Sequence, residues 1–319
     1  MGAPGDSEQA EREAPMILPI LHGRADGPFL TAWTFPPTLT LGLLFAAALY
    51  GLALRAARRA GRPTPPSWQV GSYYAGLLTT AVALLGPLDT WNDELFFLHM
   101  AQHLVLIQVA APLLLLGRPV QVILRGLPAR RTKAVLGGVL RRRVSRWVLT
   151  ALTHPAVAFV LFNASMVLWH LPSLYNAALE NDLVHDLEHA FFFGTALIYW
   201  WAIIEPVPRH HKLKLHWALV SLFFSMIIGS AVGAILTLAD NPVYAYYVGA
   251  PRVWGLSVMD DQQIGGLLMW VVGGLVYSGI MLGMFIAALN RDAEPEDTSD
   301  EVEAAEEWAA EPRHFSRPA

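Results

Sequence analysis

Apolar residues run almost unbroken through seven stretches, near 35–55, 70–88, 94–117, 153–171, 183–204, 216–239 and 263–289, divided by short segments rich in Pro, Gly and charge. Each stretch approaches the roughly 20 residues that a helix needs to cross a hydrocarbon core. The pattern predicts an all-α integral membrane protein, a bundle of seven transmembrane helices over residues 35–290. No repeat of fixed period is visible, and the short outer connections predict one compact bundle. The preceding arm, 1–34, carries Pro, Gly and charge, and its apolar run Met16–Leu21 is far too short for the core of a secretory signal. It is expected to lie outside the membrane. The tail, 291–319, is acidic from Glu294 to Glu307 and poor in large apolar groups, so it is expected to be disordered.

Composition agrees with a lipid environment: 54% of residues are hydrophobic, 15% are charged, and the mean hydropathy is +0.40. Charge adds orientation. Arg55, Arg58, Arg59 and Arg62 follow the first stretch, nine basic residues from Arg118 to Arg146 follow the third, Arg209, Lys212 and Lys214 follow the fifth, and Arg291, Arg313 and Arg317 lie in the tail. Nineteen of the 22 lysines and arginines thus fall on one side, leaving Arg12, Arg24 and Arg252 on the other. Positive residues concentrate on the cytoplasmic side, so the N-terminus is expected outside and the C-terminus in the cytoplasm. The basic stretch Ala129–Trp147 is suited to an interfacial helix on the anionic inner leaflet, and more simply to a topology anchor. The lipid bilayer is the partner these charges indicate, and no nucleic acid is expected.

Candidate chemistry lies in two histidine pairs of identical spacing, His99-Met-Ala-Gln-His103 and His185-Asp-Leu-Glu-His189. Residues four apart share a helix face, so two such helices can offer four imidazole nitrogens to one metal. At 1.5 Å per residue, His99 and His103 should lie about 8 and 13 Å below the outer end of span three, His185 at the surface and His189 about 9 Å down span five. His170 ends span four on the same side, and Asp260-Asp261-Gln262-Gln263 opens span seven there. An intramembrane cluster of ionisable groups is costly unless paired or wet, which makes it a functional candidate. The expected ligands are His99, His103, His185 and His189, with His170 additional or exchanging. Gln102, Asp186 and Asp261 are expected to orient the imidazoles. Imidazole suits zinc, copper, iron and nickel, while thioether sulfur selects Cu(I); Met100 and Met269 lie near enough in sequence to assist transfer. This favours copper modestly over zinc. With no cysteine in the chain, thiolate ligands and disulfides are excluded.

Four strings occur in order: Phe97-Leu-His99-Met-Ala-Gln-His103 running into Ala111-Pro112-Leu-Leu-Leu-Leu-Gly117; Trp169-His170-Leu-Pro172-Ser-Leu-Tyr175; His185-Asp-Leu-Glu-His189; and Asp261-Gln262-Gln263-Ile-Gly265-Gly-Leu-Leu-Met269-Trp270. Over roughly residues 30–290 the chain resembles the CtaG family of bacterial cytochrome c oxidase assembly factors. Ala111-Pro112 stands where the family pattern suggests two prolines, a change that affects only helix bending. The resemblance implies a multi-pass protein of the bacterial plasma membrane that acts in maturation of the oxidase copper centres. Its implied partners are oxidase subunits or other copper-handling proteins. It implies a metallochaperone or scaffold without catalytic turnover. Three other readings remain open from the residues: an intramembrane zinc hydrolase built on histidines with Asp261 or Asp186, b-type haem held between helices, and a docking scaffold whose histidines only pack.

Overall fold

The computed structural model describes residues 29–128, 130, 132, 134, 138, 142–204 and 213–293, with 291–293 described by backbone alone. All regular structure among the described residues is helical. Each of the seven predicted stretches falls on a helix: α1 Pro37–Arg59, α2 Ser67–Leu85, α3 Phe96–Gly126, α4 Pro155–Trp169, α5 Asp182–Ile204, α6 Leu215–Leu238 and α7 Val258–Asn290. Most of the arm and all of the acidic tail beyond Ala293 lie outside the described residues, as does part of the predicted interfacial helix.

Five of these helices, α1, α3, α5, α6 and α7, are long and apolar enough to cross a membrane, which makes this a membrane protein. A sixth crossing exists if Arg143–Leu152 and α4 act as one span, bent by 68° between them. The sequence predicts seven. The difference has two causes. Helix α4 has only 15 residues, about 22 Å at 1.5 Å per residue. Helix α2 has 19 residues but dilutes its apolar content with Gln69, Ser72, Tyr73 and Tyr74, whose polar groups serve neighbouring helices: Ser72 donates to the Leu113 carbonyl and Tyr73 to that of Ala46.

Local chemistry marks where these helices begin. Prolines at the first position open α1 and α4, where the missing N–H costs nothing. Asn181 Oδ1 accepts from the amides of Leu183 and Val184 to start α5, and Ser257 with Asp260 forms a capping box on α7. The start of α3 is capped from another helix: the two carboxylate oxygens of Asp261 accept from the amides of Phe96 and Phe97, each at 2.9 Å.

Helix α3 is the centre of the bundle, more than half buried along its span and packed by α2, α5 and α7, with α1 against its Pro119–Gly126 end and otherwise largely exposed. It carries a π-type turn at Val105–Ala110. In that turn the amide of Ala111 bonds to the Leu106 carbonyl, so the carbonyl of Ile107 would look to residue 112. That residue is Pro112, which has no N–H, and the indole of Trp200 on α5 donates to the Ile107 carbonyl instead, at 2.7 Å. Helices α6 and α7 meet through glycine: a Cβ on Gly233 would stand 2.7 Å from the carbonyl oxygen of Gly266. Above the bundle on the side of the α3 start, Phe29, Trp91, Leu95, Leu98 and Trp254 form a separate apolar cluster, with the Trp91 and Trp254 rings stacked at 5.5 Å.

Candidate metal centre

The four pair histidines converge. His99 and His103 on α3 and His185 and His189 on α5 form a ring of imidazoles whose neighbouring centroids lie 4.4 to 5.2 Å apart. His99 Nε2 is 3.0 Å from His103 Nε2. Ligand atoms of His99, His103 and His189 all lie within 4.8 Å of one another. Tetrahedral bonds of about 2.0 Å place ligand nitrogens about 3.3 Å apart, so small side-chain rotations bring this set onto one ion. The donor set fits copper or zinc: all imidazole, with His99 and His103 almost fully enclosed.

The expected ligands are thus together, with one exception. His170, at the end of α4, donates through Nδ1–H to the Met166 carbonyl at 2.7 Å, and its ring stands against Phe192 and Tyr175. It belongs to neither group of candidate ligands within 4.8 Å. His185 also differs from expectation in its surroundings: assigned to the surface by depth, its side chain is buried beside His99. Met100, Met166 and Met269 are buried in the main hydrophobic cluster. His22, His210, His211 and His314 lie outside the described residues, His216 is exposed, and the His154 ring accepts from the amide of Ala156 at the start of α4.

The residues expected to orient imidazoles do other work. Asp186 is exposed on α5. Asp261 caps α3, as described. Gln102 donates to the Ala83 carbonyl and the Asp89 carboxylate and accepts from the Asn92 amide. The hydroxyls that meet His99 are those of two tyrosines. Tyr175 Oη lies 3.0 Å and Tyr247 Oη 3.3 Å from His99 Nδ1, the two hydroxyls are 3.3 Å apart, and Tyr247 donates to the Asn92 carbonyl at 2.7 Å. With the Tyr247 proton committed to that carbonyl, Tyr175 can donate to Tyr247 and accept from His99 Nδ1–H. That order leaves His99 Nε2 as a lone-pair donor facing His103, the arrangement a metal-bound histidine requires. Gln102 therefore acts one step removed, by holding Asn92.

Sequence reasoning also passed over Glu188. Its carboxylate is fully buried, Oε2 is 3.7 Å from His99 Nε2, and neither oxygen has a hydrogen-bond partner among the described residues. Candidate ligand atoms of His99, His185 and Glu188 lie within 4.8 Å of one another, a second group sharing His99 with the first.

Residues 48–291 match the family described as cytochrome c oxidase caa3 assembly factor, Caa3_CtaG. The chain belongs to this family. Every member of the histidine ring lies within the matched region, as do Glu188, Tyr175 and Tyr247, so the centre is part of the CtaG portion of the chain. Among curated proteins, uncharacterized proteins of Mycobacterium bovis and Mycobacterium tuberculosis are each 28% identical over 250 residues, which is 76% of this chain and 37% of theirs. A Mycobacterium leprae protein is similar at 28% over 252 residues, again 76% and 37%. This CtaG-family chain spans little more than a third of the length of those relatives. No solved structure matches it.

Proposed function

We propose that this assembly factor holds Cu(I), as cargo, in the outer leaflet of a bacterial plasma membrane and supplies it during maturation of a copper centre of the oxidase. The observation that carries this reading is the approach of His99 Nε2 to His103 Nε2 at 3.0 Å, with His189 in reach, inside a ring of four imidazoles from two helices, three of them buried. Family membership gives the ring its context, since a copper-containing oxidase needs a donor. The topology belongs to the same proposal: seven crossings, N-terminus outside and C-terminus in the cytoplasm, with α2 and the bent α4 completing the five long spans. In that orientation the starts of α3, α5 and α7, and so the metal centre, lie toward the outer face. The protein acts as a metallochaperone or scaffold, with oxidase subunits or other copper-handling proteins as partners. His170, as an exchanging ligand, and Met100 and Met269 serve in transfer.

The test is the copper content of the oxidase purified from cells whose CtaG-family chain carries His103→Ala with His189→Ala. The expected result is an oxidase depleted in copper while the variant accumulates in the membrane at wild-type level. An oxidase with full copper content from those cells overturns the role.

A further inference from the structure

A carboxylate sealed among helices without a hydrogen bond is expensive, since an ionised group removed from water must be repaid by a partner charge. Glu188 has no such bond among the described residues, and its Oε2 lies 3.7 Å from His99 Nε2, the nitrogen that faces His103. The carboxylate side of His99 also includes His185, so two nitrogens and one oxygen surround a point beside the all-imidazole position. Such a set of donors suits a cation.

Resting on the copper reading above, we propose that the centre contains two overlapping metal positions that share His99 Nε2. One is the all-imidazole position of His99, His103 and His189, suited to Cu(I); in the other, Glu188 joins His99 and His185 to hold a divalent ion such as Zn(II). A carboxylate oxygen is a hard donor and favours a divalent ion over Cu(I), and it attracts two positive charges more strongly than one. Because His99 Nδ1 faces the tyrosines, a single nitrogen serves both positions. The two ions therefore exclude each other, and a divalent ion blocks copper loading.

The experiment compares wild-type protein with Glu188→Gln and His103→Ala, full chain in detergent, by titration with Cu(I), Zn(II) and the spectroscopic probe Co(II). In Glu188→Gln, Zn(II) and Co(II) affinity is expected to fall by about tenfold or more with Cu(I) affinity unchanged, which also shows that the variant folds. His103→Ala is expected to show the reverse order, and in the wild type Zn(II) and Cu(I) should compete for a total of one ion per chain. If Glu188→Gln binds the divalent ions as the wild type does, the second position is overturned while the copper reading stands. If the wild type binds no metal at all, both fall. Should Glu188→Gln fail to fold, infrared difference spectra of the wild type decide: Zn(II) must shift a carboxylate stretch and Cu(I) must not, and an unshifted band with Zn(II) overturns the proposal.

Discussion

At His99 the two ring nitrogens divide their tasks, and the division is set by hydroxyls that the spacing of histidines does not reveal. Tyr175 lies on the short helix Pro172–Glu180 and Tyr247 on Ala245–Gly249, segments that read in the sequence as outer connections. Only the fold shows that they reach back over α3. Removing the Tyr175 hydroxyl with Tyr175→Phe keeps the ring stacked on Tyr244 and frees His99 to turn, so metal affinity should fall by about 10–100-fold. Asp186→Asn, at an exposed position, should leave it unchanged. Competition titration with a chelator measures both, and equal affinities in Tyr175→Phe and wild type would remove the tyrosines from the orienting role. The pair histidines were legible because four-residue spacing fixes a helix face. The acidic partner was not: helix geometry puts Asp186 and Glu188 at equal angles on opposite flanks of the His185–His189 face, and only packing against α3 selects Glu188.

At the scale of elements, the site depends on how closely α3, α6 and α7 approach. Gly265 of α7 lies against the Phe96 ring at the start of α3, and Gly233 and Gly266 bring α6 and α7 backbone to backbone. The small residues of α6 and α7 were visible in the sequence, but which of them touch was not, because the partner face depends on tertiary register. Gly233→Ala should separate the helices and cost about 1–3 kcal/mol, read as a lower thermal midpoint in detergent. Gly279→Ala, where a Cβ meets nothing within 4 Å, should not be destabilising. A Gly233→Ala protein as stable as the wild type would contradict the packing described. The π-type turn of α3 was equally hidden. Pro112 announces a break, but that Trp200 takes over the Ile107 carbonyl follows only from α5 lying alongside.

For the whole molecule, hydrophobic run length located the seven apolar helices, yet it overstated how many are independently membrane-competent, since α4 is short and α2 carries polar groups used between helices. Charge asymmetry gives the proposed orientation, and the absence of cysteine makes it simple to test. A single Pro251→Cys in the connection before α7 should react in intact cells with a membrane-impermeant thiol reagent, and Ala60→Cys after α1 only once the membrane is opened. The opposite labelling would invert the topology. Copper binding by the imidazole ring is decided by elemental analysis of detergent-purified protein loaded anaerobically with Cu(I) and desalted, beside a variant with His99, His103, His185 and His189 replaced by alanine. Near-stoichiometric copper is expected in the wild type and none in the variant; copper retained by the variant, or lacking in both, would contradict copper binding by the ring.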